Sequence, residues 1–322
     1  MFFVAGIGDP GKSILSALDR RRLKPAVNHL QPAVRVSDYQ PVVSNHRRLR
    51  DKISGCMILL SNTETGIRME SGSEGEKQSN HWDEETSRHY LDYGRYFVPA
   101  REQQMRIMLD LLRGLPPSSL VLELCCGEGL FAEMLLDELP SSTYWGLDGS
   151  ALMLERAGQM LARFGDRVKL SSFDLADRSW RRLNPPVKAV VSSLAIHHLD
   201  GEGKQVLFHD VYAMLAVGGV FVIADMIEPA TAEGRDIAAD ALDEVVRQRS
   251  LELDGSTAGL DFFLQEGWNT YRYFDPDDID HPSSLFDQLK WLERAGFVDV
   301  DVHFMQAGHA LFSGWKKGEK AL

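Results

Sequence analysis

Residues Val121–Leu130 read VLELCCGEGL, and no other stretch constrains the fold of this chain as strongly. An apolar run ends in the acidic Glu123. Gly127 and Gly129 follow one residue apart, and a helical pattern starts at once with Phe131, Met134 and Leu135. Glycines take dihedrals closed to other residues and let the backbone approach a ligand that a Cβ would hold away. The stretch therefore turns a buried strand directly into a helix, the basic step of a helix-covered parallel sheet.

The rest of the chain repeats that step. Strands are expected at Leu120–Leu124, Thr143–Leu147, Val168–Ser172, Ala189–Leu194 and Val220–Asp225, from short β-branched or apolar runs bounded by turn residues. Helices fit between them at Phe131–Leu139, Ser150–Phe164, Ser179–Leu183 and Gly203–Leu215. Two more precede the first strand. Asp83–Leu91 reads as helical, and Pro99–Leu112 carries proline in its first turn, apolar Met105, Met108, Leu109 and Leu112, and Gly114 beyond its end. A long, mostly helical insertion occupies 229–283. The helix Ser284–Ala295 then leads to strands Val298–Met305 and His309–Ser313, joined so closely by Gln306–Gly308 that they must be antiparallel. The expected fold is α/β: a Rossmann-like doubly wound sheet, mostly parallel, of seven strands with an antiparallel C-terminal hairpin.

Composition narrows the class. Of 322 residues 44% are hydrophobic and 25% charged, as in a globular protein that buries a core. No apolar run reaches the ~20 residues of a membrane helix, and the start MFFVAGIGDP lacks a basic n-region, so neither membrane nor export is expected. The cysteines are Cys56, Cys125 and Cys126, and the adjacent pair is unsuited to a structural disulfide. A cytoplasmic location follows from this usage. Charge is uneven: residues 1–68 carry a net of +6 and residues 69–322 a net of −18. A body that acidic repels a polyanion, which disfavours nucleic-acid partners.

Residues 1–68 hold scattered prolines and arginine clusters with little periodicity, and are expected to be a disordered extension or a mis-assigned start. Residues 69–80, including SGSEGEKQSN, read as a linker, and 81–322 as the folded domain. Gly6–Ser13, GIGDPGKS, fits the phosphate-cradling pattern G-x-x-x-x-G-K-[ST]. The ~60 residues around it offer no second strand ending in a magnesium-binding aspartate, so the match is read as chance.

Chemistry-bearing residues recur at the carboxyl ends of the strands, where open α/β sheets bind ligands. Glu123 suits a nearby cation, and the loop from Cys125 to Gly129 offers backbone N–H groups. Asp148, about 20 residues past the loop, can accept from both hydroxyls of a ribose, while Ser150 suits the helix cap. Asp174 in SFDLAD can accept from an exocyclic amine or simply serve its own turn. In Ser192–Leu199, SSLAIHHL, His197 or His198 is a candidate general base, since imidazole titrates near neutrality. The competing reading packs one histidine in the crevice and exposes the other.

Taken together, ELCCGEG, DGSALMLERA, SFDLAD and LAVGGVFVIAD resemble the ordered motifs of the class I S-adenosylmethionine-dependent methyltransferases, over roughly Tyr90–Lys316. The resemblance implies S-adenosyl-L-methionine as cofactor and an enzyme that passes its methyl group in line to an acceptor. It implies Glu123, Cys125, Gly127 and Gly129 at the methionine part, Asp148 at the ribose, Asp174 and Leu175 at the adenine, Ser193 and Leu194 along the pocket wall, and Gly149 and Met153 also among the cofactor-binding residues. Arg95 is expected near the cofactor carboxylate. Cys125 departs from the family pattern, which has glycine there.

The acceptor pocket must come from variable parts. Tyr90, Tyr93, Arg95 and Tyr96 can form a lid, and Phe262, Phe263, Trp268, Tyr271, Tyr273 and Phe274 suit either a small-molecule acceptor or a core for the insertion. The run Asp275–His281, DPDDIDH, lacks recognisable ligand spacing, so no metal is expected. Two other functions remain open. Gly127-x-Gly129-x-x-Ala132 with Asp148 also fits the fingerprint of an NAD-dependent oxidoreductase. A cofactor-binding regulator without turnover is the second.

Overall fold

The computed structural model of the chain describes residues 84–275 and 279–318. The glycine-lysine motif of Gly6–Ser13, the arginine-rich segment 1–68 and the linker 69–80 lie outside the described residues.

Helices α1 (Glu84–Phe97) and α2 (Arg101–Leu112) lead into β1 (Leu120–Leu124), α3 (Leu130–Glu138), β2 (Thr143–Asp148), α4 (Ala151–Leu161) and β3 (Val168–Ser172). There follow β4 (Val187–Ser193), α5 (Gly201–Met214) and β5 (Leu215–Met226). The insertion holds α6 (Ala232–Asp254) and α7 (Ala258–Gln265). Helix α8 (Leu285–Ala295) and strands β6 (Val298–Gln306) and β7 (His309–Lys316) complete the order. The sheet runs β3-β2-β1-β4-β5-β7-β6, with β7 antiparallel to both neighbours, as the seven-stranded reading expects.

Strict alternation along the strands makes this a two-sided sheet. In β5, Phe221 and Ile223 face one core with Leu122, Leu124, Phe208 and Phe312. Val220, Val222 and Ala224 face the other with Val121, Leu109, Leu135 and Leu311. A one-residue slip of β5 would exchange these faces, so the register is tightly specified. The fold also has a switch point. From β1 the chain builds outward through β2 and β3, then returns to place β4 on the other side of β1. Parallel neighbours diverge there, and a crevice opens beyond their carboxyl ends.

Several boundaries differ from the sequence reading. Helix α1 runs on to Phe97 rather than stopping at Leu91, because Tyr96 and Phe97 pack with Val246, Phe263 and Tyr271 in a third apolar cluster. Segment 179–183 forms only a short 3-10 turn, Ser179–Arg181, tied down by Arg181. The β6–β7 connection is the two-residue turn Ala307–Gly308, with φ of 47° and 76°, the conformation whose twist matches paired strands. Strand β6 is a sheet edge, and its pairing with β7 shifts register twice, between Val298 and Asp301 and between Val302 and Phe304. Among the described residues no helix is long and apolar enough to cross a membrane.

Candidate active site

The carboxyl ends of β1, β2, β3 and β4 converge on one cavity of about 390 Å³. Its wall includes Glu123, Cys125, Gly127, Asp148, Gly149, Met153, Asp174, Leu175, Ser193, Leu194 and His198. The sequence reading named all of these, and the switch point brings them together from segments up to 75 residues apart. Tyr90, Leu91, Val98, Arg101, Met105 and Met108 close the cavity from the helices that precede the sheet.

The glycine loop is shaped by its dihedrals. Gly127 has φ 54° and Gly129 φ 88°, and Gly129 forms the N-cap of α3, where a Cβ would come within 3.1 Å of Leu161. Gly129 therefore shapes the turn and is not itself in the cavity wall. Cys125 adopts φ 55° and Leu194 φ 51°, so two side-chain-bearing residues in the wall sit in the left-handed region. Left-handed geometry costs about 1–2 kcal/mol for an L-residue, and two of the six such non-glycine residues among the described ones lie in this wall. At Cys125 a conformation that favours glycine is thus taken by a residue with a side chain. Burial raises both Cys125 and Cys126 thiols well above the usual range, so neither is a ready thiolate.

Four acidic side chains, Glu123, Glu128, Asp148 and Asp174, line the cavity. Glu123 is 3% exposed and accepts a 2.5 Å hydrogen bond from the Tyr144 hydroxyl. Burial pushes its carboxyl up to about 8, against the pull of that hydroxyl. Asp148 accepts from Gly127 N–H at 2.8 Å through one oxygen and from Ser150 N–H at 2.9 Å through the other. It ties the glycine loop to the start of α4, and each oxygen keeps a lone pair for a further donor. Burial raises its carboxyl despite those backbone bonds. Asp174 accepts from Ala176 N–H at 2.8 Å, the local turn, and also borders the cavity.

The stretch 121–219, from β1 into β5, matches the family model for a methyltransferase domain. The motifs, the seven-stranded order and the cavity agree with that match. The chain carries a methyltransferase domain over these residues. Its cofactor is S-adenosyl-L-methionine. It is similar, at 20% identity over 240 residues, to a carboxy-S-adenosyl-L-methionine synthase of Nautilia profundicola, covering 73% of this chain and 94% of that protein. It is 34% identical over 104 residues to ribosomal RNA small subunit methyltransferase H of a Synechococcus species, covering 32% of this chain and 33% of that one. Among solved structures, an O-methyltransferase family protein from Burkholderia thailandensis shares the fold with a TM-score of 0.50 and 16% identity, over 74% of this chain and 61% of that chain.

In this methyltransferase Arg95 is not near the cavity. The helix turns its guanidinium, 54% exposed, toward Asp254 at 3.3 Å and the Tyr96 hydroxyl at 2.5 Å. Arg101 occupies the cavity wall instead, 2.5 Å from the Tyr90 hydroxyl. The left-handed Ala100 between α1 and α2 redirects the chain, and only Arg101 ends on the inner side. His197 also departs from the expected role of general base. It lies behind the wall, with Nδ1 2.5 Å from Asp225 and Nε2 3.4 Å from Asp280. Burial pulls its ring down, but the two carboxylates outweigh that and hold it up to about 10. A ring kept protonated through neutrality is no base there. His198 does reach the cavity, and burial together with the His197 charge lowers it.

Four of the insertion's six aromatic residues resolve toward packing, while Tyr273 and Phe274 are exposed. Phe262, Phe263, Trp268 and Tyr271 cluster with Tyr93, Tyr96 and Phe97, and Tyr93 stacks on Phe262 at 3.6 Å. Tyr90 and Leu91 of α1 line the cavity, and α1 is seated on the insertion's aromatic core. Other residues escaped the sequence reading. Glu84 accepts from Ala151 N–H at 2.8 Å and Ser150 Oγ at 3.0 Å, fastening α1 to the N-terminus of α4 beside Asp148. Arg181, buried beneath the adjacent loop, donates to the Leu175 carbonyl at 2.8 Å and pairs with Asp210 at 3.0 Å. No spacing in the sequence points to either, since both act across long loops.

Proposed function

We propose that the chain transfers the methyl group of S-adenosylmethionine to a small-molecule acceptor in this cavity. The carrying observation is the make-up of the wall: the carboxyl groups of Glu123, Glu128, Asp148 and Asp174, which a bound cation would favour in their ionised form, with Arg101 among the described lining residues. That balance suits a ligand with a sulfonium and an ammonium and opposes the pyrophosphate of NAD. Glu123 holds the ammonium, Asp148 the ribose hydroxyls, and Asp174 with Leu175 the adenine. Arg101 takes the carboxylate, the role the sequence suggested for Arg95. Met105, Met108, Leu130 and Phe131 supply apolar surface that keeps water from the sulfonium. Reaction then needs the nucleophile held in line with the methyl carbon, which proximity in a dry cavity provides. A cavity of about 390 Å³ has the size of a small-molecule site, and the body's net charge of −18 over 69–322 speaks against RNA.

Calorimetric titration with S-adenosylmethionine, its demethylated product and NAD in parallel tests the reading. Micromolar binding of the first two with none of NAD is expected, followed by mass shifts of one methyl in an acceptor screen. NAD binding alone would overturn it. Arg101 favours a second reading, in which the acceptor-side ligand is itself a carboxylate, as the name of the Nautilia relative suggests for that protein. A product heavier than the cofactor, rather than a methylated acceptor, would select it.

A pH dependence follows from Glu123. The free protein holds this carboxyl up to about 8, whereas a bound ammonium favours its ionised form. Binding therefore releases a proton below that pH, and affinity should rise toward pH 8, by at most about tenfold per unit, then level off. Titrations at several pH values in buffers of different ionisation enthalpy measure this. A flat profile, or one unchanged in Glu123→Gln, would count against the ammonium assignment.

A further inference from the structure

The histidine pair of SSLAIHHL meets the C-terminal end of the insertion at one point beside the cavity. His197, His198 and Asp280 bring one donor atom each to within 4.8 Å of one another. Asp280 Oδ1 lies 3.4 Å from His197 Nε2 and 3.1 Å from His198 Nδ1. Ligand atoms that share a tetrahedral metal at bond lengths of about 2.0–2.1 Å stand roughly 3.3 Å apart, so the carboxylate already has the spacing of a ligand to both rings.

The surroundings have the same character. The other nitrogen of His197, Nδ1, meets Asp225 at 2.5 Å, and Asp225 also accepts from the His197 backbone N–H at 2.9 Å. A carboxylate behind a ligating imidazole fixes its tautomer and aims Nε2, as behind many metal-bound histidines. Asp225 and Asp280 together carry two negative charges, which balance a dication. Buried Lys204 pins the segment that supplies Asp280, donating to the Leu199 carbonyl at 2.6 Å, to Ser283 Oγ at 2.9 Å and to the His281 carbonyl. His198 and Ile279, the neighbour of Asp280, both line the cavity.

We propose that His197 Nε2, His198 Nδ1 and an Asp280 oxygen form a binding site for a divalent transition metal of the zinc class, with Asp225 as the orienting partner of His197. Two imidazoles and one carboxylate select this class over magnesium or calcium, which prefer oxygen donors. The metal replaces the proton that His197 otherwise carries. At the cavity wall its remaining coordination position takes an oxygen of the acceptor, which makes hydroxyl-bearing compounds the acceptor class. The site stands on its own geometry, and only this last role rests on the methyl-transfer reading. Sequence spacing within Asp275–His281 argued against a metal because the ligands are not in that run alone: the histidines come from 82 and 83 positions earlier.

The test uses the full chain, stripped with chelator and titrated with Co²⁺ while visible absorption is followed, then with Zn²⁺ in competition. One equivalent of cobalt with the strong bands of a four- or five-coordinate ion is expected, displaced by zinc. His198→Ala and Asp280→Asn, each checked for folding by circular dichroism, should weaken binding by more than the roughly 10–100-fold that loss of an outer partner costs. Absence of those bands with millimolar cobalt on the unmodified chain overturns the proposal and leaves an ion-paired histidine cluster. Unchanged affinity in both variants overturns it too, since the metal would then sit elsewhere. Titration of the stripped chain with S-adenosylhomocysteine separates this from the functional reading: nucleoside binding without metal binding sinks the metal alone, and metal binding without nucleoside binding sinks the methyl-transfer reading alone.

Discussion

Asp225→Ala is expected to lower folding stability by about 3–5 kcal/mol, the range found when one partner of a buried ion pair is removed. Asp225 is 2% exposed and accepts from the His197 backbone N–H, the His197 ring and, at 2.8 Å, the Met226 N–H. Its loss leaves those donors without an acceptor and leaves His197 with Asp280 alone. Burial raises the Asp225 carboxyl but the His197 charge outweighs it, so the group is held below its usual range. The pH sign follows from the histidine. Its folded-state value of about 10 lies above the ordinary 6.5, so its contribution is complete below pH 6.5 and disappears as pH rises toward 10. Urea unfolding of the metal-free chain at pH 6, 8 and 10 should show stability falling across that window, with a shallower fall in Asp225→Ala. A variant within 1 kcal/mol of the parent at pH 6 would refute the cluster's role in holding β5 to the 279–283 segment.

Asp148→Ala should weaken S-adenosylhomocysteine binding by about 2–4 kcal/mol, on the order of a hundredfold, from two losses that add. The ribose hydroxyls lose their acceptor, and the Gly127 and Ser150 N–H groups are left unpaired, which loosens the loop that carries the wall. Asp148→Asn separates the two. It keeps one oxygen for a backbone donor but turns an NH₂ toward the other, so it should fall between parent and alanine variant. Calorimetric affinity within threefold of the parent for Asp148→Ala would remove Asp148 from the nucleoside site, whatever happened to the melting temperature.

The parts of this site that were legible in the sequence are those that strand geometry places by itself. Glu123, Asp148 and Ser193 each lie in the last two residues of a strand, and a parallel sheet carries its strand ends to one edge wherever the intervening helices run. Local turn chemistry was equally legible: Ser150 caps α4 by accepting from Met153 N–H at 3.2 Å, the role its position suggests. What was not legible depends on how separate layers meet. Arg95 and Arg101 are six residues apart, and only the reversal at Ala100 decides which one faces inward. The insertion's aromatic residues supported a pocket or a core equally well, until α1 was seen to fill the space between them. Asp280 and His198 carry no shared periodicity, so their meeting is a property of the fold.

The bulged edge of the sheet has its own consequence for the molecule's behaviour in a crowd. Strand β6 is outermost on its side of the sheet, and a straight edge strand offers its free amides and carbonyls to any passing extended chain. Here Asp299 takes φ 49°, the two register shifts bend the strand, and Lys317 pairs with Asp299. Bends and charges of this kind spoil the template for strand-to-strand adhesion. At high concentration, then, this rim should be a poor seed for fibrils, and self-association through it should be disfavoured even when the hairpin is freely accessible.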